Sequence, residues 1–264
     1  QRGRKLINVY PAYLPLQRFH LGHVDVEVHD SGHILGSSQF LFEHGSSSLV
    51  YTGDLNLVST VITDAGRPIP CDELIIDATY GHPDIAFPDR NAVYGEIVDF
   101  VEHAIRLGRT PIFFAYSIGK AQELIALINR SLGFEVLVDE RVAKANGVYE
   151  SSGIVLNYLS LSSDEGKEAF AARALPMVVS DKRLLMGDSS DDLVKAIATG
   201  WSMLFPYKRY DAAFPLSSHA DFVQLISYIK AAKPSKIYPF GYFAKYFSRW
   251  LNKELEVYSI PLTD

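Results

Sequence analysis

Asp30-Ser31-Gly32-His33-Ile34-Leu35-Gly36-Ser37 places a histidine between two glycines, directly after an alternating run. That run, His23 to Asp30, puts Val24, Val26 and Val28 on one face, the period-two pattern of a half-buried strand. A strand end is rigid, and the loop leaving it exposes side chains in a cleft. Two further segments repeat the arrangement. Tyr51-Thr52-Gly53-Asp54 follows the strand-like run Ser48 to Thr52, and Ile76-Asp77-Ala78-Thr79-Tyr80-Gly81 follows Leu74 to Ile76. Between them, Gln39 to Glu43 reads as another strand, with Gly45 in the turn. Imidazole nitrogen and carboxylate oxygen delivered from strand ends suit zinc. Each segment also has a plainer reading by itself. Gly-Asp after a strand is an ordinary turn, and a single histidine is ordinarily structural.

Beyond these strands the pattern changes to alternating helix and strand. Asn91 to Leu107 carries Val93, Ile97, Val101 and Ile105 at helical spacing, and Pro111 to Tyr116 is a short apolar strand. Gly119 to Leu132 is a helix with Gly133 placed to end it, and Glu135 to Val138 is a strand again. Such alternation implies an α/β layer with parallel strands. In the last third, Ser218 with Asp221 three residues on reads as a capping box before Phe222, Leu225, Ile226 and Ile229. Lys236 to Phe240 is a strand, and Phe243 to Leu255 is the final helix.

Two loops of this second half carry possible chemistry. In Pro215-Leu216-Ser217-Ser218-His219-Ala220-Asp221, His219 is expected in the first turn of the capped helix. Free N–H groups there favour phosphate, and the helix dipole disfavours an imidazolium. An exposed, inert neighbour of a cap is the alternative. Ala115-Tyr116-Ser117-Ile118-Gly119-Lys120-Ala121-Gln122-Glu123 is strand, small-residue loop, then helix. Lys120 would add charge to a phosphate seat, although the glycine spacing is not that of a Walker loop. Taken alone, the segment reads as an ordinary connection.

Composition bounds the rest. The chain has 264 residues, 48% hydrophobic and 21% charged, enough for one large domain or two intimate ones. One cysteine, Cys71, excludes an intrachain disulfide and any Cys-rich zinc site, and a reducing cytoplasm fits. No apolar run is long enough to span a membrane, and no signal peptide is visible. The first residue is Gln1, not Met, so the natural start is expected upstream. Net charge is −6, which argues against a surface coated for nucleic acid. Residues 195–264 nevertheless hold nine Lys/Arg against five Asp/Glu, a net +4. A local phosphate-facing patch and ordinary surface variation explain that excess equally well.

Together, in this order, the five segments resemble the β-CASP nucleases of the metallo-β-lactamase superfamily, from about residue 20 to the C-terminus. That group includes RNA 3′-end processing endonucleases, ribonucleases of the J type and DNA-processing relatives; the nearest look is to processing-factor-like and ligase-associated exonuclease-like proteins. The resemblance assigns His33 to a zinc ligand and Asp54 to the aspartate that bridges two zincs. It assigns Asp77 to the acidic residue of motif A, and His219 to the motif B histidine beside the scissile phosphate. Tyr116 to Glu123 resembles the start of the inserted β-CASP domain. Gly200-Trp201-Ser202-Met203 resembles a glycine–tryptophan segment ahead of motif B in the ligase-associated group. Two departures stand out. No His-x-His-x-Asp-His motif precedes His33; His20, His23 and His29 have the wrong spacing. The motif C histidine position is Phe240, which cannot bind metal; DNA-directed members also lack histidine there, so Phe240 fits either a DNA substrate or a decayed site.

The resemblance therefore implies an αββα metallo-β-lactamase sandwich from residues 1–82 and 205–264, with a β-CASP insertion at 83–204. The implied reaction is zinc-dependent phosphodiester hydrolysis in DNA or RNA, in RNA processing or DNA repair, by a cytoplasmic protein. His219 and Asp77 would be catalytic, His33 and Asp54 would hold metal, and Ser217, Ser218 and Lys120 would bind substrate. With those two metal ligands alone, zinc is expected to be reduced or absent in this chain, against two ions in an intact member. The competing expectation is a catalytically inactive nucleic-acid-binding or scaffold subunit with a protein partner or as a homodimer.

Overall fold

The computed structural model describes residues 17–262 except 174, 182 and 184–191. Two sheets organise these residues. The first contains β1 (Arg18–Leu21), β2 (Val24–Asp30), β3 (Ser38–His44), β4 (Ser47–Tyr51) and β5 (Glu73–Asp77), joined by β12 (Lys236–Phe240) and β13 (Tyr258–Ser259). Its order is β1-β2-β3-β4-β5-β12-β13. Pairing is antiparallel from β1 to β4 and parallel from β4 onward. The turn Gly45 closes β3 onto β4 in the left-handed conformation that favours glycine.

The second sheet is wholly parallel, in the order β11-β10-β6-β9-β7-β8. Its strands are β6 (Thr110–Phe114), β7 (Val136–Val138), β8 (Tyr158–Ser160), β9 (Met177–Val179), β10 (Leu193–Ala198) and β11 (Ala212–Phe214). Parallel sheets need covering on both faces, and this one has it. Phe113 points with Ile97, Val101, Leu124 and Ile128 into one core, the one that α1 (Arg90–Arg106) and α2 (Lys120–Leu132) close. Its neighbours Ile112 and Phe114 point the other way, to Met177, Val179 and Ile197, with Phe170 of α4 (Asp164–Ala171) against them. Asp89 caps α1 by accepting from the N–H groups of Asn91 and Ala92, and Gly133 ends α2 in the left-handed conformation. Asp139 caps α3 (Glu140–Ser151).

The first sheet is covered differently. One face carries Val50, Leu74, Ile76 and Ile237, packed against Leu225, Tyr228 and Ile229 of α5 (Phe222–Ala232) and Phe247 and Leu251 of α6 (Ala244–Glu254). The opposite face follows from the register: Phe40 sits beside Tyr51, Tyr51 beside Ile75 and Ile75 beside Tyr238. These side chains, with Phe42 and Phe240, are half-buried, and Tyr51 is 38% exposed. So the sequence reading of β2 to β7, α1, α2, β12 and α6 holds to within a few residues. The mixed α/β class expected from the alternation is present.

One local expectation is overturned. Ser218 does not cap α5; Asp221 does, its side chain accepting from the Gln224 N–H. The Ser217 hydroxyl is engaged with the His219 N–H, so the preceding residues form a separate turn. His219 accordingly lies ahead of the helix, not in its first turn.

Candidate active site

Five loops meet at one place, those bearing His33, Asp54, Asp77, Lys120 and His219. The His33 loop leaves β2 and folds on itself: Ser31 N–H donates to Ser37 O, and Ser37 N–H to Ile34 O. Gly32 is left-handed (φ +72°), and a Cβ there would stand 2.3 Å from Gly66 N and 2.4 Å from Asn56 O. Only glycine lets the backbone come so close. That approach stitches the His33 loop to the one bearing Asp54, since Asn56 N–H donates to Ser31 O and Gly66 N–H to Asn56 O. Gly119 (φ +84°) does the same for the loop before α2, where a Cβ would meet Ile34 Cγ2 at 2.4 Å.

His33 and His219 lie with ring centroids 4.4 Å apart. His33 Nδ1 is 2.7 Å from Ser218 O, and His219 Nδ1 is 2.8 Å from Asp77 Oδ2. A carbonyl oxygen can only accept, so Nδ1 of His33 is the donor and its Nε2 keeps a lone pair. Asp77 argues the same for His219. Burial alone would raise its carboxyl, but the hydrogen bond and charge of His219, with further bonds from Thr79, hold it below the ordinary range. It stays an acceptor, and the Nε2 of His219 is free. Burial and the neighbouring His219 hold His33 below the ordinary imidazole range, which favours the neutral ring. His33 Nε2 is 3.6 Å from Asp54 Oδ2. One donor atom from each of His33, Asp54 and His219 lies within 4.8 Å of the other two, the one such group among the described residues.

A cavity of about 310 Å³ opens beside these groups, lined by His33, Thr79, Tyr80, Lys120, Ser218 and His219 among others. Lys120 is 6% exposed, and burial pushes its ammonium down to about 8, still charged at neutral pH. It lies over the Tyr116 ring at 4.9 Å. Ser218 contributes its backbone carbonyl to His33. The Ser217 hydroxyl closes its own turn, accepting from His219 N–H and donating to His219 O. Phe240 is not among the three: its ring lies against Tyr51, centroids 5.7 Å apart, and the close pair of imidazoles leaves no room for it between them.

A buried clamp escaped the sequence reading. Arg90 Nη1 meets Glu123 Oε1 at 2.6 Å, its Nη2 donates to Ser217 O at 2.5 Å, and the Tyr94 hydroxyl donates to the same Glu123 oxygen. It ties α1 and α2 to the loop that carries His219. Tyr80 packs edge-on to His219 and against Trp201, at 6.0 and 4.7 Å between centroids. Nothing in local spacing points to the clamp, because its members are 33 and 127 residues apart.

No family model matches the chain. A probable DNA ligase of Opitutus terrae is 30% identical over 253 residues, 89% of this chain and 23% of the ligase. An RNase J-like protein of Methanocaldococcus jannaschii is 27% identical over 156 residues, 58% of this chain and 37% of that protein. The transcription termination factor FttA of a Lokiarchaeum is 30% identical over 139 residues, 49% of this chain and 22% of the factor. The chain is related to the β-CASP metallo-β-lactamases. It spans well under half the length of each of those three relatives. Among solved structures, a protein of unknown function from Enterococcus faecalis superposes with a TM-score of 0.58 at 15% identity. The superposition covers 86% of this chain and 60% of that one, a likeness of fold alone. Among the described residues, no helix of this β-CASP relative is long and apolar enough to cross a membrane.

Proposed function

We propose that this chain forms part of a metal-dependent nuclease that hydrolyses phosphodiester bonds in DNA or RNA. The observation that carries the reading is the convergence of His33, Asp54 and His219, each imidazole engaged at Nδ1 and so leaving Nε2 for another partner, beside a buried cationic lysine. Two imidazoles and a carboxylate, each imidazole held at Nδ1 by a carbonyl or carboxylate, is a donor set that fits one zinc. A second ion would need ligands that the three do not supply. When bound, zinc polarises a phosphoryl oxygen and lowers the pKa of its water. The chain's own groups do the rest. Lys120 neutralises phosphate charge inside the cavity, where water screens it least. Asp77 fixes the His219 tautomer, so that Nε2 faces the phosphate either as the third ligand or as the holder of a proton for the leaving oxygen. The names of the relatives, an RNase J-like protein among them, support nucleic acid as the substrate class.

The same reading gives the architecture. The half-buried face of the mixed sheet, with Phe40, Phe42, Tyr51 and Tyr238, is where the second layer of an αββα sandwich would pack. The parallel sheet would be the inserted β-CASP unit, which would then run past residue 204 to include β11 (Ala212–Phe214).

The second reading, a silent nucleic-acid-binding subunit, is favoured by Phe240, whose ring offers nothing to a metal. Metal analysis with a cleavage assay separates the two. The expected result is no more than one zinc per chain, with cleavage of single-stranded oligonucleotides that falls at least 100-fold in His33→Ala and Asp54→Ala. Two tightly held zincs would overturn the one-ion site. Binding without cleavage at any zinc or manganese concentration would leave the silent subunit.

A further inference from the structure

A second cavity, of about 300 Å³, lies outside the carboxyl ends of β10, β6 and β9, three adjacent strands of the parallel sheet. Open α/β sheets bind ligands at that edge. Its walls include Tyr116, Trp201 and Tyr207, with Arg141, Ser180 and Thr199 supplying polar groups. Tyr116, Ser117 and Trp201 line the catalytic cavity as well, so the two spaces share a wall.

Several features point to the same kind of occupant. Tyr116 is 60% exposed although its ring is large and apolar, and it has Lys120 over its face. Trp201 is fixed in place: Thr199 caps its turn, Tyr80 packs on one side, and Tyr242 meets it edge-on at 4.9 Å. Rigid flat rings beside half-empty space are what a planar heterocycle stacks on. Among the described residues no carboxylate lines the cavity, and the exposed Arg141 is in its wall as a cation for an anionic backbone. A cavity of about 300 Å³ has room for one base.

We propose that this cavity seats one unpaired nucleobase of a single-stranded substrate, the nucleotide next to the phosphate in the His33–Asp54–His219 cavity. Tyr116 and Trp201 would supply the stacking surface. The assignment rests on the reading of this chain as directed to nucleic acid, but not on its cutting anything. Discrimination against duplex follows from the stacking itself, because a paired base has both faces covered by its neighbours and cannot lie against Tyr116 or Trp201.

The test is binding by the full chain, with a chelator present so that nothing is cleaved. The probes are a fluorescein-labelled single-stranded oligonucleotide, the same strand made wholly abasic, and its duplex. Stacking worth roughly 1–3 kcal/mol per base predicts that Trp201→Ala and Tyr116→Ala each weaken binding of the intact strand by about five- to 150-fold. Affinity for the abasic strand, which keeps every phosphate, stays unchanged, and the wild-type chain prefers single strand to duplex. Tyr116 is exposed, so its variant reports even where Trp201→Ala does not fold. Equal losses on intact and abasic strands, or no binding of the intact strand by the wild type, would overturn the base seat. Binding without cleavage once zinc is restored sinks the hydrolase reading and leaves the seat standing. Cleavage with unaltered binding in both variants does the reverse.

Discussion

The two sheets present their faces to quite different surroundings. In the parallel sheet all five residues of β6 are buried, and Ile112 and Phe113, on opposite faces, are both fully covered. In the mixed sheet only the helix side is closed; Tyr51 and Phe240 on the other side are half-open. Yet the mixed sheet delivers three of the four acidic and imidazole groups of the site: His33 after β2, Asp54 after β4, Asp77 at the end of β5. The sheet with two closed faces supplies walls: Lys120, Tyr116 and Trp201. Chemistry thus sits on the incompletely covered layer and is held against a finished one. They meet through apolar contacts, with Leu35, Val61 and Ile62 of the first layer's loops packed on the core of the second, and through polar links, among them the Arg90 clamp.

If that comparison is right, the largest stability effect belongs to the closed sheet. Phe113→Ala removes a fully buried ring with packed cores on both sides of its strand, and should cost about 3–5 kcal/mol in denaturant unfolding. A cost below about 1 kcal/mol would mean that this sheet is no better packed than the other.

Next comes the link between the layers. Arg90→Ala leaves Glu123 buried without its cation and frees the Ser217 carbonyl. Breaking such a pair costs about 3 kcal/mol, because the buried carboxylate keeps the Tyr94 hydroxyl and the charge of Lys120 but loses its direct ion pair. The double variant Arg90→Met, Glu123→Leu should recover most of that stability but not the placement of His219, so cleavage should stay depressed. Full recovery of cleavage would show that the clamp positions nothing.

Lys120 gives a smaller effect with a definite sign. Burial lowers its pKa from 10.5 to about 8, so between those values the unfolded chain binds a proton that the folded chain does not. Stability contributed by this group therefore rises as pH increases from about 8 to 10.5, and the charge is a penalty below pH 8. Full relief would be worth about 3 kcal/mol, and some of it is lost to rearrangement around the charge. Lys120→Met should be more stable than wild type at pH 7, with the difference shrinking towards pH 10. A constant difference across that range would show that the ammonium is not desolvated. The same variant should weaken oligonucleotide binding, the usual exchange of stability for function at a site.

How much of this was legible follows the same division. The strands of the mixed sheet announce themselves by alternation and by the glycines that end them, and α1 and α2 by spacing and a left-handed Gly133. Three-residue strands such as β8 and β9 carry no period, and α3, with Gly147 and few apolar residues, has a weak stripe. Their caps, Asp139 for α3 and Ser163 for α4, escaped the sequence reading with them. At the site, the loops bearing His33, Asp54, Asp77, Lys120 and His219 could each be picked out, because glycines and strand ends mark them. The helix start near His219 was misplaced because two candidate caps, Ser218 and Asp221, compete and only the fold decides between them. The Arg90–Glu123–Ser217 clamp had no signal at all, since a buried ion pair is made by folding and leaves no spacing in the chain.

The smallest expected effect is at Phe240. Its ring is half-buried and touches Tyr51, itself 38% exposed, on the open face of the mixed sheet. A ring that is only partly removed from water gains only part of the roughly 1.5–3 kcal/mol of full burial. Phe240→Ala should therefore cost about 1 kcal/mol or less, against several for Phe113→Ala, and it should leave metal content unchanged because the ring is not among the three donors. This last comparison also probes what covers the open face. If Phe240→Ala and Tyr51→Ala each cost as much as a core truncation, another layer packs there in solution, and the contrast between the two sheets disappears. If both costs stay small while Phe113→Ala stays large, the face is open to water, and the site's metal-bearing loops rest on a sheet closed from one side only.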